Sequence, residues 1–351
     1  MKMPNMKPLW IYSLVVAVFV CLATGCSNAP GNGGGQSGKL KIIATTFPEY
    51  DWTRQILGSH AAEVELVLLL DSGVDLHNYE PTAKDLMKVG NCDLFIHVGG
   101  ASDKWVPSAL EAVPNPRRQV VNLLAVLGDH VHEEEHVEGM EEHHHDHDED
   151  HDEHHHDDDE DHDEHHHDED EHEADEHVWL SLRLAQRSCR AIAERLAALD
   201  PANAEDYRAN CEAYCQKLAA LDAQYQQAAD DATVKVLLFG DRFPFRYLAE
   251  DYGLKYYAAF TGCSAEAEAS FKTVTFLAAK VDELNLPCVL AIEGAQHRLA
   301  ETIVDSTKTA KNRPVLVLDS LQGTTLKNAA DGKTYLGTME KNLEVLRQAL
   351  R

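Results

Sequence analysis

The sequence predicts an α/β protein of two lobes, each a parallel sheet flanked by helices, joined by one long backbone helix. Three observations carry this expectation. Short runs rich in Val, Ile and Leu alternate with helical patterns; the same alternation starts again after residue 231; and between them lies a long stretch nearly free of Gly and Pro. Strands read in alternation with helices imply parallel pairing with both sheet faces covered.

In chain order, residues 40–45, 64–70, 94–98 and 119–122 read as strands of the first lobe, separated by helical stretches at 52–57, 82–88 and 106–112. Residues 202–229 follow Pro201, a favoured first-turn residue, and place Tyr207, Tyr214, Leu218, Leu221 and Tyr225 at helical spacing. At 1.5 Å per residue such a helix runs roughly 40 Å, more than one lobe needs, so it reads as a rigid strut that permits only small lobe movements. Strands at 234–239, 255–258, 287–292 and 315–318, with helices near 245–251, 269–284 and 299–309, complete the second lobe. The expected organisation is a signal peptide (1–25), a tether (26–38), a first lobe (39–200), a linking helix (201–230) and a second lobe (231–351).

The N-terminus explains itself by composition. Lys2 and Lys7 precede an apolar run at 9–22, and Leu22-Ala23-Thr24-Gly25-Cys26 closes it, the layout of an export signal. That ending resembles the bacterial lipobox, with Leu one step earlier than the usual pattern has it. The resemblance implies a lipidated Cys26 as mature N-terminus. A retained anchor is the alternative, although about 14 apolar residues fall short of the roughly 20 that a span needs. Either way the protein is expected outside the cytoplasm, held to the cell membrane, with the Gly-, Asn- and Ser-rich residues 27–38 as a flexible tether.

The formal charge of −29 is concentrated in one place. Of 60 acidic residues, 27 lie between 129 and 176, together with 16 of the 21 His and no Lys or Arg; elsewhere 33 acidic residues face 31 basic ones. The folded part is therefore nearly neutral and offers no basic surface for nucleic acid. Self-repelling charge and scarce apolar side chains make 129–176 a disordered insertion by expectation. Its imidazoles are borderline nitrogen ligands suited to Zn²⁺, so His143, His144, His145, His147, His151, His154, His155, His156, His162, His165, His166, His167 and His172 form an auxiliary metal-gathering loop. Protonation competes with metal there, so the loop should load above roughly pH 6.5. The alternative is a mere solubilising run.

A floppy loop cannot fix one ion in a selective geometry, because ordering each ligand costs conformational entropy. Ligands of open parallel sheets gather beyond the carboxyl ends of the strands. Four residues stand there: His77 in the loop after the second strand, His177 where the tract returns to ordered chain, Asp241 after Phe239-Gly240, and Asp319 after Val315-Leu316-Val317-Leu318. Two neutral imidazoles and two carboxylates balance a divalent cation. Helix capping is the alternative work for Asp241 and Asp319. Cys263, Glu266, Glu268 and Glu293 also lie near strand ends and could stand in for Asp241; His60, His97 and His297 read as structural. Six Cys follow Cys26 with no CxxC pair, which argues against a cysteine zinc cluster; a Cys263–Cys288 bridge is the preferred pairing, and Cys211 and Cys215 read as helix packing.

At these residues a resemblance becomes specific. His77-Asn78-Tyr79-Glu80-Pro81-Thr82, Asp175-Glu176-His177-Val178-Trp179-Leu180 after a His-rich insertion, and the stretch 331–346 are similar to segments of the bacterial ABC-transporter receptors for zinc and manganese. The resemblance covers most of 39–351. It implies two α/β lobes, a backbone helix, a metal between the lobes and delivery to a membrane permease with its ATPase. Where that family presents a third His or a Glu, this chain has Gly240-Asp241-Arg242-Phe243-Pro244-Phe245-Arg246-Tyr247. Arg cannot ligate a cation, which leaves Asp241. Asp319 matches the family's Asp after the last strand.

The expected function is thus that of a monomeric, non-enzymatic Zn²⁺ receptor. Mn²⁺ is the runner-up, since two carboxylates harden the site. A secreted zinc hydrolase is the alternative from another class, opposed by the lack of HExxH, G-x-S-x-G or GxxxxGK[ST]; a metal-dependent adhesin is a third.

Overall fold

Eight strands form two four-stranded parallel sheets with the same strand order. The first is β2-β1-β3-β4, built from β1 (Lys41–Ala44), β2 (Glu65–Leu68), β3 (Leu94–His97) and β4 (Gln119–Asn122); the second is β6-β5-β7-β8, from β5 (Val236–Phe243), β6 (Lys255–Thr261), β7 (Val289–Ile292) and β8 (Val315–Leu318). This computed structural model describes residues 39–140, 173–262, 268–294 and 296–351, and 39–351 gather as one compact unit. The signal peptide, Cys26, the tether, all thirteen named tract histidines, Cys263 and Glu266 lie outside the described residues.

Helices cover the first sheet as α1 (Phe47–Leu57), α2 (Ala83–Gly90), α3 (Val106–Ala112), α4 (Leu123–Leu127) and α5 (Leu182–Leu199). The strut is α6 (Ala204–Asp230), 27 residues long, entered through a turn at Pro201–Asn203. The second sheet carries α7 (Arg246–Asp251), α8 (Phe271–Glu283), α9 (Arg298–Ser306), α10 (Leu326–Ala330) and α11 (Tyr335–Ala349). Side-chain oxygens of Ser181, Ser270 and Thr334 accept backbone N–H groups at the starts of α5, α8 and α11, satisfying donors that a helix cannot pair internally.

The strut touches both halves. Asn210 donates to the carbonyl of Ile56 at the end of α1 (3.0 Å), and Tyr225 donates to the carbonyl of Met339 in α11 (2.6 Å). One continuous apolar core runs from Ile42 and Phe95 of the first sheet, past Ile192, Tyr207 and Leu218, to Phe239, Leu290 and Leu346. A second cluster, including Leu238, Val289, Leu277 and Ile303, seals α8 and α9 against the other face of the second sheet. Trp52 and Tyr335 meet edge to face inside the shared core, 5.1 Å between centroids.

Three expectations are corrected here. Strand β5 does not end before Asp241: pairing with β6 resumes at Arg242 and Phe243 after a register irregularity, so Asp241 lies within a strand. The insertion is ordered at both roots, because Glu133 and Ala174 form an antiparallel bridge and the Tyr247 hydroxyl accepts from His132 N and donates to the carbonyl of Asp175. Cys288 is a free, buried thiol, while its expected partner Cys263 is among the residues not described. Cys211 and Cys215 are buried thiols on one helix face, 4.0 Å apart. No helix among the described residues is long and apolar enough to cross a membrane.

Candidate metal centre

His77 and His177, a hundred residues apart in sequence, face each other with their Nε2 atoms 3.1 Å apart. Both are positioned by the same local device. In Asp75-Leu76-His77 and in Asp175-Glu176-His177, the Asp carboxylate accepts the backbone N–H of the His two residues on, at 3.1 and 3.0 Å. Each Asp thereby closes a tight turn that aims the imidazole inward. His177 is fully buried and stands beside Trp179, whose indole donates to the carbonyl of Ser320 across the cleft.

The outer nitrogens decide where the ring protons sit. His177 Nδ1 lies 2.8 Å from the Asp175 carboxylate; His77 Nδ1 lies 2.9 Å from the Ser102 hydroxyl and 3.5 Å from the buried Glu176 carboxylate. In the tautomer protonated at Nδ1, whose N–H these partners can accept, both Nε2 lone pairs would be directed into one space, the orientation that carboxylate-backed metal histidines adopt. Two nitrogens bound tetrahedrally at 2.0–2.1 Å from one Zn²⁺ would stand roughly 3.3 Å apart, close to the separation present here.

Environment separates the two imidazoles electrostatically. Burial, reinforced by the facing His177, holds the His77 imidazole below its ordinary range. Burial also works against a charged His177, yet the hydrogen bond and charge of Asp175 outweigh it and push that group up. Behind His77, burial raises Glu176 to about 7 although Ser102 N donates to it. Deeper in the same half, burial raises Glu49 to about 8 despite hydrogen bonds from Thr45 Oγ1 (2.8 Å) and Thr46 N (2.9 Å).

The second half brings different groups. Within β5 the Arg242 guanidinium reaches across the cleft to Asp75 at 2.9 Å, while the Asp241 carboxylate accepts from the backbone N–H groups of Arg242 and of Ile292 in β7. Gln322, just past β8, places its amide nitrogen 2.9 Å from His177 Nε2 and 3.4 Å from Asp75 Oδ1. Asp319 is bound to Lys333 at 2.6 Å and accepts from Leu321 N. Glu293, raised by burial and by the neighbouring Asp319 charge, accepts from Ser320 N and Oγ.

Of the four expected ligands, then, the structure unites the two histidines and engages Asp241 and Asp319 with other partners. Among the described residues no three His, Cys, Asp or Glu side chains are gathered as a cation would need. The two histidines stand together, and the two carboxylates are not gathered with them. Glu268 is exposed and Glu293 is spoken for by Ser320. His97 is structural as expected, buried against Asp103 at 3.0 Å and stacked on Phe95, and His60 is paired with Asp206 at 2.9 Å. Sequence reasoning missed Asp75 and Gln322 as cleft residues, and it weighed Arg242 at the third ligand place only to set it aside as unable to bind a cation. The repeated Asp-x-His spacing was a signal for the first; nothing in the sequence marks the amide.

Two sheets of one strand order, spanned by a single long helix and facing a cleft with paired imidazoles, define a helix-bridged, two-lobed solute-binding protein. The chain belongs to the family described as zinc-uptake complex component A, periplasmic, whose profile matches residues 42–349. It is 31% identical over 343 residues to the high-affinity zinc uptake system protein ZnuA of Bacillus subtilis, covering 97% of this chain and 98% of that one. It is also 31% identical over 339 residues to the zinc-binding lipoprotein AdcA of Streptococcus pneumoniae, covering 95% of this chain but only 60% of AdcA. Among solved structures, the metal-dependent lipoprotein YcdH of B. subtilis superposes with a TM-score of 0.67 at 27% identity, over 89% of this chain and 99% of that one. Zn(II)-bound AdcA of S. pneumoniae superposes with a TM-score of 0.66 at 28% identity, over 89% and 58% respectively.

Proposed function

We propose that the chain is an extracytoplasmic receptor that binds Zn²⁺ as its cargo at His77 and His177 and delivers it to the permease and ATPase of an ABC transporter. One observation carries the reading: two Nε2 atoms 3.1 Å apart, each ring with a hydrogen-bonding oxygen behind it at Nδ1. The names of ZnuA and AdcA support zinc as the ion, and the family supports a binding protein rather than an enzyme. The lipoprotein name of AdcA supports a protein held at the membrane from outside, through Cys26 in our reading; that the receptor works as a monomer is part of the same proposal. The His-rich tract gathers ions without forming the selective site.

Asp75 and Gln322 already stand at the imidazole pair. Asp241 and Asp319 complete the cage only by leaving Ile292 and Lys333. Removing residues 141–172 while keeping the ordered roots tests the division of labour. Competition titration with a chelator should find one tightly held zinc in the truncated protein. Loss of all tight binding would place the selective site in the tract and reject this reading.

A further inference from the structure

Each carboxylate described around this cleft has a partner, and for Asp75 that partner is a cation from the opposite half. Arg242 Nη2 sits 2.9 Å from Asp75 Oδ2; the other oxygen, Oδ1, accepts His77 N at 3.1 Å, meets Gln322 Nε2 at 3.4 Å and lies 4.0 Å from His77 Nε2. Both side chains are largely buried, 19% exposed for Arg242 and 13% for Asp75. A buried guanidinium–carboxylate pair is directional and keeps the oxygens it binds. Arg242 thus holds the second oxygen of the carboxylate whose first oxygen lies 4.0 Å from His77 Nε2, from a strand with a register shift between Phe239 and Arg242.

We infer that Arg242 is the specificity-determining residue of this site: by withholding the Asp75 carboxylate it presents an entering dication with imidazole nitrogen alone, favouring Zn²⁺ over Mn²⁺. Manganese takes oxygen-rich coordination, and zinc is satisfied by nitrogen. Asp241 and Asp319, bound to backbone N–H groups and to Lys333, deepen the same bias. A nearby guanidinium also repels any cation, but that repulsion acts on both ions alike; the loss of an oxygen ligand falls on manganese. The inference rests on the receptor reading above and adds to it the residue that sets the choice of metal.

The test compares the full chain with Arg242→Gln, Asp75→Asn and the double variant, measuring Zn²⁺ and Mn²⁺ dissociation constants separately by competition titration and following the melting temperature with each ion. Arg242→Gln should tighten Mn²⁺ at least tenfold while Zn²⁺ changes by less than about threefold, and the thermal shift given by manganese should grow. In the Asp75→Asn background the same change should leave Mn²⁺ binding where it was, because no carboxylate charge is left to release. Arg242→Met serves the same comparison if the Gln variant misfolds. An unaltered ratio of the two constants, or a manganese gain that persists without Asp75, would overturn the assignment while leaving the zinc reading intact. A wild-type chain with no tight zinc would overturn the receptor reading and this inference with it.

Discussion

The two halves of the cleft are prepared in opposite ways. The first half holds two imidazoles backed at Nδ1 by Asp175 on one side and by Ser102 with Glu176 on the other, so both Nε2 atoms point inward. The second half brings a guanidinium and a carboxamide, and the carboxylates expected from it are turned to backbone N–H groups and a lysine. Both halves use the same sheet order. The difference teaches that facing the cleft makes a residue available to it, and the neighbours of that residue decide whether it is a ligand.

The sharpest way to break this comparison is to remove a lone pair. His177→Ala or His77→Ala should each weaken tight zinc binding by roughly a thousandfold in competition titrations, with the melting temperature of the metal-free protein falling only slightly for His77. Retention of tight zinc in both variants would mean that the first half is not the ligating side.

A second contrast concerns the buried acid behind the imidazoles. Burial raises Glu49 from an ordinary 4.5 to about 8, so the folded state binds that proton more tightly than the unfolded chain does. Its stabilising contribution is therefore complete below pH 4.5 and is lost as pH rises through about 8, a loss on the order of a few kcal/mol. Denaturant unfolding of wild type against Glu49→Gln from pH 4.5 to 8.5 should show a decline in wild type that the variant lacks. Parallel pH profiles would show that Glu49 ionises in the folded protein as it does in the unfolded chain.

The smallest effect is expected on the second half. Asp241→Asn and Asp319→Asn should each alter the zinc dissociation constant by less than about threefold, since both carboxylates are committed elsewhere. A loss of tenfold or more in either would show that the carboxylate swings to the metal, and would make the two halves equal partners.

Much of this was legible in the sequence. Ile42 to Ala44, Leu94 to Ile96 and Val315 to Leu318 are apolar runs too short for helices and flanked by turn residues, and they form strands as read. The strut was visible because it lacks Gly and Pro over nearly eight turns. Helix α5 went unread in extent although Leu182, Ala185, Cys189, Ile192 and Leu196 repeat at helical spacing; the tract just ahead of it obscured its start. Asp241 was read as lying past a strand because Gly followed by two charged residues ordinarily closes one, whereas a register shift carries β5 on to Phe243. The histidines were legible because their chemistry is specific. Gln322 was not, and Arg242 was placed at the site without its partner Asp75, since what faces a residue across the cleft is encoded by no local pattern.

The central claim is that zinc sits between His77 and His177. Diffraction from crystals of the zinc-loaded protein, collected on either side of the zinc absorption edge, tests it most directly. The account predicts an anomalous peak within about 2.0–2.1 Å of both Nε2 atoms, with Nδ1 of His177 still on Asp175. A peak held by Asp241 and Asp319, with the imidazoles away from the ion, would contradict it.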